Sequence, residues 1–442
     1  MNDIPADRHY DDLETRSQEA REGSLLARLP ELVADAMRDA PGWARQLKGV
    51  DPRSVVSRKA LAALPVLRKG ELKDLQQADP PFGGLTTVAT GNLGHLFMSP
   101  GPIFDPEGTG PDPWRVVRAL WAAGVRPGQV LQNCFSYHLT PGAWMIDHAA
   151  RKLGCAVIPA GTGQTEQQIE LIRTLRPDAY VGTPSFLRII IEKAQELGLD
   201  ISNLQRALLA AEALPASLRQ WFQEQGVRTV LQWYGTADLG CIAYESDALD
   251  GMILEEDLLL EIVRPGTGEP LPDGEVGEIV ITSFNPHYPM IRFGTGDLSA
   301  VMSGTSSCGR TNVRIRGWLG RADQVTKVRG LFVHPQQVAA ALAGHPEVRR
   351  ARLVVSGERA DDRMTLLCET DLHEGASGSG NSADGVAGGS GDSASGGSGS
   401  DLARRIVESL RKTTSLRAEV RLVAPGSLPN DGKVIEDTRK LD

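Results

Sequence analysis

A mainly parallel α/β sheet covered by helices, followed by a small α+β module, is the fold class this sequence predicts. Three observations predict it. Between residues 114 and 235 short, nearly all-apolar strand segments alternate with helical ones. A Gly/Pro-rich loop then joins two strand patterns in LLLEIVRPGTGEPLPDGEVGEIVITS, the signature of an antiparallel β element. Beyond the run Gly317–Pro335 come helices and strands in a mixed order. A chain of 442 residues exceeds the size at which one core stops growing, so two or three folding units are expected.

In chain order, residues 1–75 read as a helical lead-in, with Leu25, Leu29, Leu32, Val33 and Met37 at helical spacing and a break at Pro65. Residues 80–112 are rich in Gly, Pro, Thr and Ser and show little helical periodicity; long irregular stretches inside a compact domain are usually functional or disordered. In the alternating region VVRALWAAGV, AWMIDHAARKLG, TEQQIELIRTLR, FLRIIIEKAQELG and ASLRQWFQEQG read as helices. Between and after them QVLQNC, CAVIPAG, DAYVGT, QRALLAA and RTVLQWYG read as buried strands. Ligands of such a sheet belong at the carboxyl ends of its strands.

The run GWLGRADQVTKVRGLFVHP reads as a joint. Val325 to Val328 alternate with polar residues as a short strand would, Gly330 breaks it, and Pro335 opens a helix carrying Val338 and Leu342. Strands RARLVVSG and MTLLCET, the helix LARRIVESLRK and the tail AEVRLVAPGSLPNDGKVIEDTRKLD complete the small module. Residues 374–400 are almost pure Gly, Ser, Ala and Asp, too poor in apolar surface to order themselves, and read as a disordered surface insertion.

Composition narrows the function. Hydrophobic residues at 41% and charged residues at 23% are ordinary for a soluble globular chain, and no apolar run approaches bilayer-spanning length. A net charge of −9 gives no electrostatic footprint for nucleic acid. The five cysteines, Cys134, Cys155, Cys241, Cys308 and Cys368, lack CxxC spacing, which argues against a disulfide framework and for a reducing compartment. The polar, acidic N-terminus carries no export signal, so the cytoplasm is expected.

Four polar motifs carry candidate chemistry. In Gln232-Trp233-Tyr234-Gly235-Thr236-Ala237-Asp238 a strand runs into a turn bearing an aromatic ring, a hydroxyl and a carboxylate. The ring can cover a nucleobase, the hydroxyl can bond a phosphoryl oxygen, and the carboxylate can hold Mg²⁺. In Arg292-Phe293-Gly294-Thr295-Gly296-Asp297 a carboxylate held by a glycine turn could accept both hydroxyls of a ribose. The joint contributes Arg321 and Asp323, and Leu428-Pro429-Asn430-Asp431-Gly432-Lys433 presents one lysine on a loop. Each motif alone is equally an ordinary turn; their order and separations are what matter.

On these motifs the chain resembles the adenylate-forming superfamily, and within it the phenylacetate–CoA ligase type. The likeness spans nearly the whole sequence: YDDLETR, LPVLRKGEL, SYHLTPG, GCAVIPAGTGQTEQQIELI, GTPSFL, AAEALP, WYGTADLG, PMIRFGTGDLS, GRADQVTKVRGLFVHPQQV and LPNDGKV. The resemblance implies an N-terminal domain over 1–320, a hinge at 321–323 around Asp323 and a mobile C-terminal lid over 324–442. It implies an enzyme that joins a carboxylic acid, aromatic or arylacetic here, to ATP with Mg²⁺ and passes the acyl group to coenzyme A. A carrier-protein thiol or an amine as acceptor, or a nucleotide- or acyl-CoA-binding protein without turnover, are the alternatives.

By the same resemblance Tyr234 stacks on adenine beside Ala211, Glu212 and Gly235, Thr236 contacts phosphoryl oxygens, and Asp238 stands where the family has a Mg²⁺-binding Glu. Asp297 holds the ribose, Arg321 touches the nucleotide, and Lys433 bridges the acid and the α-phosphate. The phosphate loop departs from the family pattern, with no Lys; Thr86, Thr87, Thr90 and Gly91 are its candidates. Tyr137, His138 and Leu139 are candidates for the acyl pocket. Cys308 keeps one ligand of a zinc site found in some relatives, with Ser246 and Ile253 where others would be sought, so no zinc is expected. A homodimer is the family-level expectation.

Overall fold

The computed structural model describes residues 8–319, 321–322, 326–329, 331–333, 335–357, 362–372, 398–429 and 434–439. The chain divides into two compact units, Met1–Leu319 and Gly320–Asp442.

The first unit is built on a nine-stranded sheet. Its parallel part runs, in spatial order, Ala156–Ile158, Val130–Asn133, Ala179–Gly182, Arg206–Leu209 and Thr229–Thr236. The first strand in the chain therefore lies inside the second, and the direction of winding reverses between Val130–Asn133 and Ala179–Gly182. Such a reversal leaves a crevice at the carboxyl ends of the two strands. Alternation along the strands explains the double covering. Leu131, Val181 and Leu208 pack with Val117, Leu120, Ile146 and Ala150 on one face, whereas Tyr180, Ala207 and Leu209 pack with Ile169, Ile172, Leu187 and Phe222 on the other.

From Thr229–Thr236 the same sheet continues antiparallel through Gly240–Tyr244, Met252–Leu254, Arg314–Ile315 and Val301–Met302. The expected hairpin, Leu258–Val263 with Gly277–Ser283, belongs to a separate four-stranded sheet completed by Met290–Ser299 and Leu67–Arg68. The helical lead-in is Gln18–Asp39 followed by shorter helices, and its Leu25, Leu29, Val33 and Trp43 share a core with Ile262, Ile279 and Phe293 of that sheet.

Residues 80–112 are less irregular than composition implies. Leu96–Ser99 and Ile103–Pro106 pair antiparallel across a three-residue turn, Pro100 to Pro102. Each strand has only four residues and is flanked by Gly and Pro, so periodicity does not reveal them.

The second unit has a short hairpin, Thr326–Val328 with Leu331–Val333, and a four-stranded sheet in the order Glu419–Val423, Arg363–Glu369, Arg350–Ser356, Ile435–Asp437. Helices Pro335–Leu342 and Ser398–Thr414 supply Val338, Leu402, Ile406 and Leu410 to its core beside Leu353 and Leu366. Ser398, Gly399 and Ser400 are the first turn of that second helix, which corrects the C-terminal edge of the expected insertion. The rest of the insertion, 374–397, lies outside the described residues, as do Asp323 and Lys433. Among the described residues no helix is long and apolar enough to cross a membrane.

Candidate active site

The strand Thr229–Thr236 carries Tyr234 to the boundary between the two sheets of the first unit. There its hydroxyl donates to Asp297 Oδ2 at 2.8 Å, and Thr295 Oγ1 lies at 3.4 Å. Trp318 Nε1 donates to Asp297 Oδ1 at 2.9 Å. Both carboxylate oxygens are thus held. Asp297 lies within the strand Met290–Ser299, not in a turn, which corrects the sequence reading; Gly296 supplies the positive φ, 75°, that bends the strand beneath it.

Gly235 sits where the pairing with Gly240–Tyr244 shifts register, and a Cβ there would collide with the Gly240 carbonyl. The bulge turns the following residues out of the sheet. Thr236 Oγ1 accepts from the Leu239 amide at 3.2 Å, closing the turn that leads to Asp238.

Asp238 is 3% exposed and forms an ion pair with Lys69, Nζ to Oδ2 2.6 Å. Asp105, fully buried in the strand Ile103–Pro106, stands close enough to repel it. Among the described residues neither Asp105 oxygen, nor Asp238 Oδ1, nor the Tyr288 hydroxyl has a well-formed hydrogen bond. Burial, with the Asp238 charge next to it, raises Asp105 from 3.8 to about 8. As a Mg²⁺ site Asp238 fits in part: Oδ1 is a hard oxygen without a well-formed hydrogen bond, while an ammonium already occupies Oδ2.

Ala211 takes a positive φ of 68° just past the strand Arg206–Leu209. Glu212 beside it accepts from Ser185 N at 3.0 Å and Ser185 Oγ at 2.9 Å, so it stabilises the start of helix Pro184–Glu196 together with the N-cap Thr183. Tyr137 follows Val130–Asn133 at the winding reversal; its hydroxyl accepts from Asn133 Nδ2 at 2.9 Å and its ring meets the Trp144 ring edge-on at 5.4 Å. His138 and Leu139 are exposed, and Leu139 has a positive φ of 60°.

The four phosphate-loop candidates lie in a short connected stretch. Thr87 turns to the 286–287 loop, its amide donating to His287 O at 3.1 Å and its hydroxyl to Pro286 O at 2.5 Å. Thr90 and Gly91 lie in the single-turn 3-10 helix Thr90–Asn92, and Thr86 precedes both. Cys308 is buried, with Ser306 Oγ donating to its sulfur at 3.1 Å.

In the second unit Arg321 is half-buried. The loop toward Lys433 is anchored at both described ends. Leu428 N donates to Glu369 Oε1 at 2.7 Å and Arg350 Nη2 to Pro429 O at 2.8 Å, while Ile435 pairs with Leu353.

Trp318, Lys69 and Asp105 are the neighbours that motif reading missed. Lys69 and Asp238 are 169 positions apart, and no local pattern joins them.

Residues 118–285 match the family described as AMP-binding enzyme. A phenylacetate-coenzyme A ligase of Thermus thermophilus is 33% identical over 376 residues, covering 81% of this chain and 83% of that protein. One from Escherichia coli is 31% identical over 345 residues, covering 74% and 77%. Among solved structures, 2-hydroxyisobutyryl-CoA ligase in complex with 2-HIB-AMP and CoA superimposes with a TM-score of 0.77 at 25% identity, over 99% of this chain and 94% of that one. Similarity of this extent, on a fold that brings the motif residues Tyr234 and Asp297 into direct contact, establishes that the chain belongs to the phenylacetate–CoA ligase family of adenylate-forming enzymes.

Proposed function

We propose that this chain is an AMP-forming acid–CoA ligase whose acid is aromatic or arylacetic. The observation that carries the reading is the Tyr234–Asp297–Trp318 junction, a buried aromatic ring hydrogen-bonded to a carboxylate that a second ring also holds. Tyr234 covers the adenine beside Ala211 and Gly235, and Asp297 accepts the ribose hydroxyls. Thr236 and Arg321 contact the nucleotide, with Thr86, Thr87, Thr90 and Gly91 nearest the phosphates. The Tyr137 and Trp144 rings at the winding reversal suit an aromatic acid.

In the first half-reaction an acid oxygen attacks the α-phosphorus of ATP, the bond to the β-phosphate bridge oxygen breaks and pyrophosphate leaves. Charge grows on the phosphoryl oxygens, and a fixed cation there lowers the barrier. Lys433 has that role, on a loop whose approaches are tied by Glu369, Arg350 and the Leu353–Ile435 pairing. Asp238 would hold Mg²⁺, which supplies further neutralisation when bound. In the second half-reaction the coenzyme A sulfur, having lost its proton, attacks the acyl carbonyl and AMP leaves. Asp323 is the hinge about which residues 324–442 turn between the steps, and a cytoplasmic homodimer belongs to the same reading.

A pyrophosphate-release screen over aryl, arylacetic and short aliphatic acids, with and without coenzyme A, tests this. Release is expected with an aromatic acid, and thioester only with coenzyme A. Lys433→Ala is expected to abolish release yet retain thioester formation from supplied acyl-adenylate. Normal release in that variant would remove Lys433 from the chemistry. The Lys69–Asp238 ion pair and the tethering of Thr87 to Pro286 and His287 favour a second reading, nucleotide or acyl-CoA binding without turnover. Nucleotide binding with no release for any acid would select it. Acyl transfer that needs a carrier-protein thiol or an amine in place of coenzyme A would change the acceptor only.

A further inference from the structure

We infer that His95, Glu107 and His148 form a binding site for a divalent metal ion of the zinc class, separate from the cysteine-based zinc site considered at Cys308. Their ligand atoms converge from two elements distant in sequence. His95 Nδ1 lies 2.7 Å from Glu107 Oε1, and His148 Nε2 lies 3.1 Å from the same oxygen. All three ligand atoms are within 4.8 Å of one another, a closeness found for this His/Glu group among the described residues.

The backbone fixes two of the three. Pairing of Leu96–Ser99 with Ile103–Pro106 extends beyond the strands, Glu107 N donating to His95 O at 2.9 Å and Gly94 N to Glu107 O at 2.8 Å. His95 and Glu107 are therefore cross-strand neighbours, a separation at which side chains touch. The third ligand comes from helix Gly142–Leu153, where Trp144 and His148, one turn apart, share a face. Trp144 packs on the His95 ring with centroids 4.4 Å apart, holding the imidazole toward the helix.

Two further observations separate this group from a chance hydrogen-bonded cluster. Glu107, 2% exposed, has its second oxygen held by Trp114 Nε1 at 2.8 Å, the outer hydrogen bond that orients a metal-ligating carboxylate. Gly94 leaves the space the carboxylate needs, since a Cβ there would stand 2.8 Å from Glu107 Oε1. Zinc binds imidazole nitrogen and carboxylate oxygen at about 2.0–2.2 Å, so neighbouring ligand atoms in a tetrahedral site lie about 3.3 Å apart. Reaching that from the present spacing opens each nitrogen–oxygen separation by less than about 1 Å.

Two imidazoles and one carboxylate leave a fourth position, and the cluster is open on its imidazole side, His95 being 38% exposed. The ion would tie the hairpin to the helix, one aromatic ring away from Tyr137, and the inference does not depend on which acid or acceptor the enzyme uses. Its test is metal binding by the chelator-treated full-length chain. Zn²⁺ is followed by calorimetry and Co²⁺ by visible absorption, for the wild type, His95→Ala and His148→Ala. One equivalent of Zn²⁺ is expected in the wild type, with a raised melting temperature and an intense tetrahedral Co²⁺ band. Each variant is expected to lose at least about 100-fold in affinity, and Trp114→Phe about 10-fold. Undiminished binding in both histidine variants, or no intense Co²⁺ band in the wild type, overturns the site. The wild-type spectrum decides the matter even should a variant fail to fold.

Discussion

Tyr234 and Asp238 stand four residues apart on one strand and turn, yet they enter regions of opposite character. At the Tyr234–Asp297–Trp318 junction both carboxylate oxygens have donors. At the Asp238–Lys69–Asp105–Tyr288 cluster two buried carboxylates share one close ammonium, and three of their four oxygens have no well-formed hydrogen bond among the described residues. The first is a carboxylate whose two oxygens are both held by ring donors. The second is a charge imbalance that a proton or a cation relieves. Placing them side by side suits a site that must recognise a nucleoside in one half and handle phosphate charge in the other.

The comparison breaks most readily at Lys69. Lys69→Met leaves Asp238 buried beside Asp105 without its counter-ion, and removing one partner of a buried pair costs about 3–5 kcal/mol. Urea unfolding is expected to show a loss near the lower figure, because Lys69 is 24% exposed. A loss below about 1 kcal/mol would mean that water already screens the cluster. At the other region Asp297→Ala removes the charged acceptor of the Tyr234 hydroxyl and the Trp318 N–H. Hydrogen bonds to charged groups are worth about 1.5–3 kcal/mol, so KM for ATP in pyrophosphate release is expected to rise about 100-fold. An unchanged KM would move the ribose elsewhere.

The third prediction sharpens the contrast through pH. Asp105 is raised from 3.8 to about 8 in the fold, chiefly by burial and then by the Asp238 charge. The folded state therefore binds more protons than the unfolded one across that interval, and stability falls as pH rises from about 4 toward 8. The slope is expected to approach that of one proton, about 1.4 kcal/mol per pH unit. Asp105→Asn is expected to flatten it in urea titrations at several pH values. The same slope in the variant would assign the proton to another group.

Much of the architecture was legible because it rests on short-range patterns. Apolar runs such as DAYVGT and helical stripes such as Ile169 and Ile172 depend only on residues a few positions apart. The site was legible in its members and not in its pairings. Tyr234 and Asp297 were both singled out, but their hydrogen bond was not foreseeable, and Asp297 was placed in a turn because Gly296 punctuates its sequence. The hairpin Leu96–Ser99 with Ile103–Pro106 was hidden by Gly and Pro content, and with it went Asp105, His95 and Glu107. The bonds from Ser185 N and Oγ that hold Glu212 at the start of a helix are likewise invisible in its local sequence.

The sequence by itself determined the alternation of strands and helices between residues 114 and 235 and the family to which the motifs point, since both are written in local periodicity and local wording. Only the tertiary structure decided which charges meet. Lys69 reaches Asp238 across 169 positions, and His148 reaches Glu107 across 41, because sheet pairing and helix packing carry them there. Electrostatic partnership depends on distance and burial in space, and separation along the chain encodes neither.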